Sequence, residues 1–302
     1  MTTADVYMNQ TISEILNHGY VDKNPRPKYA DGEPAYTLSV THNMRKYDLS
    51  KNIFPITTLR PIAWKSAIKE ILWIYQDQSN DLNLLRDKYN VHYWDSWESK
   101  DIPNTIGKRY GYIVKKYDLM NKLLDGLKND PYGRRHIIDL YQYEELESSD
   151  GLSPCAFLTI WNVRKGLDKK EYLDVALIQR SGDLLAASCS GVNEIQYAAL
   201  VMMVARHCGY HAGILTHFIS NEQIYDRHIE QALELKIRYK RVLKKENEIL
   251  KKQFYDDTEL KKTYPKLVLN SKKTNFYDFT IDDFTMKNYN PIMPQLKFEL
   301  GI

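Results

Sequence analysis

The stretch NEIQYAALVMMVARHCGY, residues 193–210, constrains the fold most. Its apolar residues recur at helical spacing and leave almost no polar face, so it reads as a buried helix. A helix covered on all sides needs a sizeable core around it. The chain has 302 residues and 43% hydrophobic content, enough to build one. That length allows one large domain or two small ones.

The order of the other elements narrows the choice. PAYTLSV reads as a strand. PIAWKSAIKEILWIYQ carries Trp64, Ala67, Ile68, Ile71, Leu72 and Tyr75 at helical spacing. YDLMNKLLDGLKND repeats the pattern with Leu119, Leu123, Leu124 and Leu127, and Pro131 and Gly133 stop it. AFLTIWNVR and EYLDVALIQR read as two strands across the turn RKGLDKK. A further helix is expected from Asn221 onward, through EQIYDRHIEQALEL, and PKLVLN and QLKFEL look like strands. Residues 20–35, rich in Pro, Gly and charge, read as an exposed loop. Strands and helices interleave with no regular βαβ series, so a single α+β domain over residues 1–302 is expected. Residues 236–262 are strongly basic and read as a solvated helix face or a protruding insertion. Acidic residues are interleaved and no aromatic ladder accompanies them, which makes nucleic acid the less favoured partner.

Charge and cysteines exclude other classes. A formal net charge of +3 argues against a dedicated polyanion binder. Cys155, Cys189 and Cys208 are widely spaced and odd in number, which gives neither a disulfide framework nor a zinc signature, so no metal is expected. The opening MTTADVYMNQ is polar and no apolar run reaches membrane-spanning length. A soluble, cytoplasmic protein with no membrane partner is expected.

Cys155 sits directly after a proline in GLSPCAFLTIW, at the start of a strand. Taken alone it reads as a small buried hydrophobe. With arginines supplied by Arg26, the Arg134–Arg135 doublet and Arg180 in QRSGD, it reads instead as a nucleophile of lowered pKa. Arginine forks grip a phosphate dianion well. A phosphate and a thiolate in one pocket point to a nucleotide attacked by sulfur.

FPITTLRP, AIKEILWIYQDQSN, VHYWDSW, DPYGRRHI, LSPCA, QRSGD, NEIQY, QIYDRH and FYDFTIDDF occur in order along most of the chain. In these motifs the chain resembles the thymidylate synthases. The resemblance implies a large mixed β-sheet covered by helices on one face, the sheets of two subunits stacked back to back in a homodimer. It implies reductive methylation of dUMP to dTMP, with 5,10-methylenetetrahydrofolate as cosubstrate and dihydrofolate as the second product.

The resemblance also implies roles for individual residues. Cys155 matches the nucleophile that adds to uracil C6, which turns the ring into an enolate and makes C5 reactive. Glu70 matches the general acid/base near O4. Its neighbours Ile71, Leu72, Trp73 and Ile74 should raise its pKa, although locally it reads equally as a helix-surface glutamate. Tyr110 matches the tyrosine near C5. Asn193 matches the amide that pairs with uracil O4 and N3–H, and on local grounds it is also a good helix cap. Arg26 and Arg180 match the phosphate grip, with Arg134 and Arg135 donated by the partner subunit. Gln223 and Tyr225 match the groups around the deoxyribose hydroxyl. Asp183, Trp94, Trp97 and the C-terminal Ile302 match the folate side of the site. Locally, Asp183 is equally a turn former.

Three departures stand out. Ala156 replaces a usual histidine after the nucleophile, Gln223 replaces another, and SCSGVN replaces the usual Pro-Phe-Asn stretch. Two other readings remain: a deoxyuridylate hydroxymethylase with the same addition chemistry, and a nucleic-acid-binding protein using the basic segment.

Overall fold

The computed structural model describes the backbone of residues 1–253 and 263–302 and the side chains of all but 249–262. Its centre is a mixed sheet in the order β1-β2-β7-β5-β4-β3, with the short β6 also paired to β7. The strands are β1 (Tyr20–Val21), β2 (Thr37–Asp48), β3 (Ile137–Asp139), β4 (Ala156–Lys165), β5 (Glu171–Gln179), β6 (Gly182–Asp183) and β7 (His211–Tyr225). A separate two-stranded sheet joins β8 (Lys266–Leu269) to β9 (Phe284–Lys287). The helices are α1 (Thr3–His18), α2 (Trp64–Tyr75), α3 (Leu82–Tyr89), α4 (Gly111–Lys116), α5 (Leu119–Asn129), α6 (Tyr143–Glu147), α7 (Val192–Cys208) and α8 (Ile229–Gln253).

Alternation explains why the sheet has one covered face. Successive strand residues point to opposite sides, and on β5 the buried set is Leu173, Val175, Leu177 and Gln179. That face packs under α7, the buried helix, which in turn packs on α2. Residues Ile195 to Ala205 of α7 are buried apart from Met202, and from Glu70 to Tyr75 every residue of α2 is buried as well. The opposite sheet face holds Met44, Leu158, Ile160, Ala176, Ile178 and Phe218, all at least partly exposed.

Several expectations are corrected. Residues 211–225 form the long strand β7 rather than leading into a helix, and α8 starts only at Ile229. The reason is tertiary: β7 pairs with β2 from Asp48↔Ile214 to Thr37↔Tyr225, and a ladder of that length overrides the local helical pattern around Glu222. QLKFEL is not a strand either. The terminus instead pairs at its last residue, Ile302, with the Lys28 backbone in both directions (2.9 and 2.8 Å). The polar-looking N-terminus forms α1, opened by a capping box between Thr2 and Asp5. Within the basic segment Arg238 is buried, donating to the carbonyls of Leu59, Ile292 and Pro294, so it is a structural anchor of α8. Residues 254–262 of that segment lie outside the described residues.

Candidate active site

Cys155 lies at the entrance to β4 and is half-buried. Two neighbours fix it. Its backbone N–H donates to the Tyr110 hydroxyl at 3.1 Å. Arg180, at the end of β5, places a guanidinium nitrogen 3.4 Å from the sulfur and also donates to Ser153 O (2.8 Å) and Pro154 O (3.0 Å). Burial pushes the thiol pKa up, against the pull of Arg180 and then Arg26. The expectation of a lowered pKa is therefore corrected: loss of water around the sulfur outweighs the two guanidinium charges. The two arginines favour the thiolate once it forms.

Glu70 is held in the apolar stretch of α2. Burial pushes its pKa up to about 7, well above the usual carboxylate range. Tyr93 donates a short hydrogen bond to it. Trp94 and Gln196 also favour its charged form, although neither Trp94 Nε1 nor Gln196 Nε2 closes a hydrogen bond. The surface-glutamate reading is thereby corrected, since Glu70 is 6% exposed. A group poised near neutrality suits proton transfer in either direction. It also costs stability. The folded pKa lies above the unfolded one, so the native state holds the proton more tightly. The stability this contributes is complete below about pH 4.5 and lost as the pH rises through about 7. That shift corresponds to about 3 kcal/mol. Glu70→Gln should therefore gain on wild type by roughly that amount across the window in denaturant unfolding. Parallel pH curves for the two proteins would refute this.

Both groups line one cavity of about 370 Å³, together with Trp94, Trp97, Tyr110, Asp183, Asn193 and Leu300. The aromatic wall is locked edge to face, with Trp94 at 5.4 Å from Tyr110 and 5.7 Å from Trp97. Tyr110 holds φ at +46°, a region that costs energy for a bulky residue. Its neighbour Gly111 leaves no room for a Cβ against the Ser79 backbone. Asp183 accepts from Leu185 and Ala186 N–H, so it is a turn former and a cavity wall at once. Burial raises its pKa, against the two backbone N–H groups and the nearby Arg60 guanidinium.

Beside this cavity, and sharing Trp97 and Leu152 with it, lies a hollow of about 600 Å³ lined by Arg26, Arg180 and Ile302. Gln223 reaches the edge of the site by accepting from Ser181 Oγ at 3.2 Å. Tyr225 packs against Tyr29 and Ala35 just outside the walls. Arg134 and Arg135 are exposed and line neither space. Another hollow, of about 480 Å³ at the far end of α7, contains neither a thiol nor a carboxylate.

Asn193 does not cap α7. Gly191 holds that position without a side-chain bond. Instead the Asn193 amide accepts from Gln179 Nε2 and donates to Gln196 Oε1, both at 3.2 Å. Cys189 is fully buried, and burial raises its pKa strongly. Cys208 sits at the end of α7 and is pushed up to about 11 by burial. Cys155 is thus the one thiol on the cavity wall. Sequence reasoning overlooked Tyr93, Gln179 and Gln196. Tyr93 was signalled by VHYWDSW, whereas the two amides carried no local signal.

Residues 6–302 match the family model described as thymidylate synthase. The chain belongs to the thymidylate synthase family. It is 48% identical to the thymidylate synthase of Streptococcus sanguinis (strain SK36) and 49% identical to that of Streptococcus gordonii (strain Challis), each over 303 residues and 100% of both chains. Among solved structures, the thermostable thymidylate synthase A from Bacillus subtilis is similar at a TM-score of 0.81, with 36% identity and 100% of both chains covered.

Proposed function

We propose that this chain converts dUMP to dTMP by reductive methylation, with Cys155 as nucleophile and 5,10-methylenetetrahydrofolate as cosubstrate. The observation that carries the reading is the single cavity holding Cys155, Glu70 and Asn193 beside the hollow of Arg26 and Arg180. The phosphate of dUMP takes the arginine hollow, where guanidinium forks match its oxygens. The base then enters the cavity. Cys155 adds to C6, and the electron pair moves through the ring to O4. Glu70, half-protonated near neutrality, gives and takes the proton on that side of the base. Asn193 offers both a donor and an acceptor to O4 and N3–H. Tyr110, fixed against the Cys155 backbone, stands on the C5 side.

The walls fit the folate. Trp94 and Trp97 offer flat apolar surface for a ring, and Asp183 offers a carboxylate for its ring nitrogens. When bound, the folate supplies both the one-carbon unit and the hydride. Leu300 and Ile302 close the open side, and Arg227 Nη1 holds the tail there by donating to both carboxylate oxygens of Glu299 at 3.0 Å.

The functional unit is a homodimer. The exposed sheet face, with Met44, Ile160 and Phe218, carries the apolar surface that a second copy would bury. Arg134 and Arg135 precede β3, the edge strand of that sheet, and reach the phosphate of the partner's site. The chain acts in the cytoplasm. Incubation with dUMP and methylenetetrahydrofolate should give dTMP and dihydrofolate in equal amounts. Formation of 5-hydroxymethyl-dUMP without dihydrofolate would replace this reading with a hydroxymethylase.

Base choice gives a second check. Asn193→Asp should weaken dUMP turnover and improve use of dCMP, because a carboxylate accepts from the cytosine amino group and repels O4. Competition between the two nucleotides measures it. A variant that keeps its full preference for dUMP would remove Asn193 from base recognition.

A further inference from the structure

An amide that reads uracil one way round reads cytosine the other way round, so something must stop Asn193 from turning over. Its hydrogen-bond partners are the place to look. Gln179 Nε2 donates to Asn193 Oδ1 and also, at 2.8 Å, to Ser181 O. A backbone carbonyl only accepts, so this end of Gln179 is its NH₂. Its Oε1 therefore faces His217 Nε2, 2.9 Å away, and needs a proton there.

The other side of His217 is equally demanding. Its Nδ1 lies 3.0 Å from Glu194 Oε1. Glu194 is a carboxylate: burial opposes its charge, but Arg45 and His217 hold its pKa down at about 2. Arg45 Nε donates to the same oxygen at 2.7 Å, while Tyr47 and Ser190 N–H serve the other one. Arg45 also grips Glu222 with both terminal nitrogens, at 2.9 and 2.8 Å. His217, Glu194 and Glu222 are fully buried, and Arg45 is 2% exposed. One guanidinium against two carboxylates would leave a buried excess of negative charge. Burial lowers the His217 pKa, against the hydrogen bond and charge of Glu194, yet only a ring that donates from both nitrogens balances the cluster at two charges of each sign and satisfies every partner. A ring with one N–H cannot. With only Nδ1–H, Gln179 must turn its carbonyl toward Ser181 O, and Asn193 turns with it.

We propose that His217 is a positioning residue for base choice: donating from both ring nitrogens, it locks Gln179, and through Gln179 the Asn193 amide, in the orientation that selects uracil over cytosine. This rests on the reading that Asn193 faces the base. Arg45 and Glu194 set the donor, Gln179 transmits it, and none of His217, Glu194 or Arg45 lines the cavity. The chain of bonds continues from Asn193 to Gln196, whose free Nε2 is turned to Glu70.

The test compares kcat/KM for dUMP and dCMP in wild type, His217→Leu and His217→Gln. Losing the donor should lower the dUMP preference at least about tenfold, the range of one good hydrogen bond, with dCMP use rising. The glutamine variant keeps one donor and should recover most of the preference. Preference within twofold of wild type in His217→Leu, or an equal fall in both variants, would overturn the proposal. Wild type with no dUMP turnover at all would instead overturn the reading of the site. A second measurement is spectroscopic. Nitrogen-15 histidine spectra of the wild-type protein should show one ring with slowly exchanging protons on both nitrogens. His228, the other fully buried histidine, meets Glu299 O at 2.8 Å through Nε2 and has Nδ1 3.8 Å from Asp183 Oδ2, so the signal is assigned to His217 by its loss in His217→Gln. Absence of a doubly protected ring would overturn the proposal even if the leucine variant does not fold.

Discussion

Cys155→Ser will bind dUMP and turn it over more slowly by several orders of magnitude. The serine hydroxyl is protonated throughout the neutral range, and the environment makes this worse. Burial already pushes the more acidic thiol up in this pocket, so an alkoxide would be far less accessible. Arg180, 3.4 Å from the sulfur, stays in place to hold the phosphate side. Binding and chemistry should therefore separate: the dUMP dissociation constant changes little while kcat collapses. Calorimetry with dUMP and a single-turnover assay measure the two independently. A serine variant with near-normal kcat would mean that the addition step does not use residue 155.

Mixing two dead or impaired homodimers will restore activity. Cys155→Ala lacks the nucleophile. Arg135→Ala should be impaired, because truncating one partner of a buried charge pair costs roughly 2–5 kcal/mol. If the arginines cross a two-fold axis, a mixed dimer gathers both lesions in one site and leaves the other whole. Random reassortment makes about half the dimers mixed, so about a quarter of wild-type activity returns after joint unfolding and refolding. Activity equal to the mean of the parents would place the arginines in their own chain's site.

Much of this was legible because the signal was local. Cys155, Glu70 and Asn193 sit in ordered motifs, and β4, β5, α2, α5 and α7 follow their apolar periods. The misses have physical causes. β7 hides because its inward positions include His217 and Glu222, so polar residues interrupt the alternation that marks a strand. Those same residues need partners from β2, β5 and α7, which are remote in sequence. No window of the sequence can show that a buried ion cluster stands behind the base-reading amide. α1 hides behind polar letters, although Ala4, Met8, Ile12 and Ile15 share one buried face. QLKFEL alternates because Leu296 and Phe298 pack against the core while the residues between them face out. Such alternation resembles a strand without a neighbour to pair with.

The thiol itself can be tested by trapping. With 5-fluoro-dUMP and methylenetetrahydrofolate the reaction should stall as a covalent adduct, because fluorine at C5 cannot leave as a proton. Peptide mass spectrometry should then place the nucleotide and folate together on the fragment containing Cys155. An adduct on Cys189 or Cys208, or none with enzyme that still makes dTMP, would contradict the assignment of Cys155 as the nucleophile.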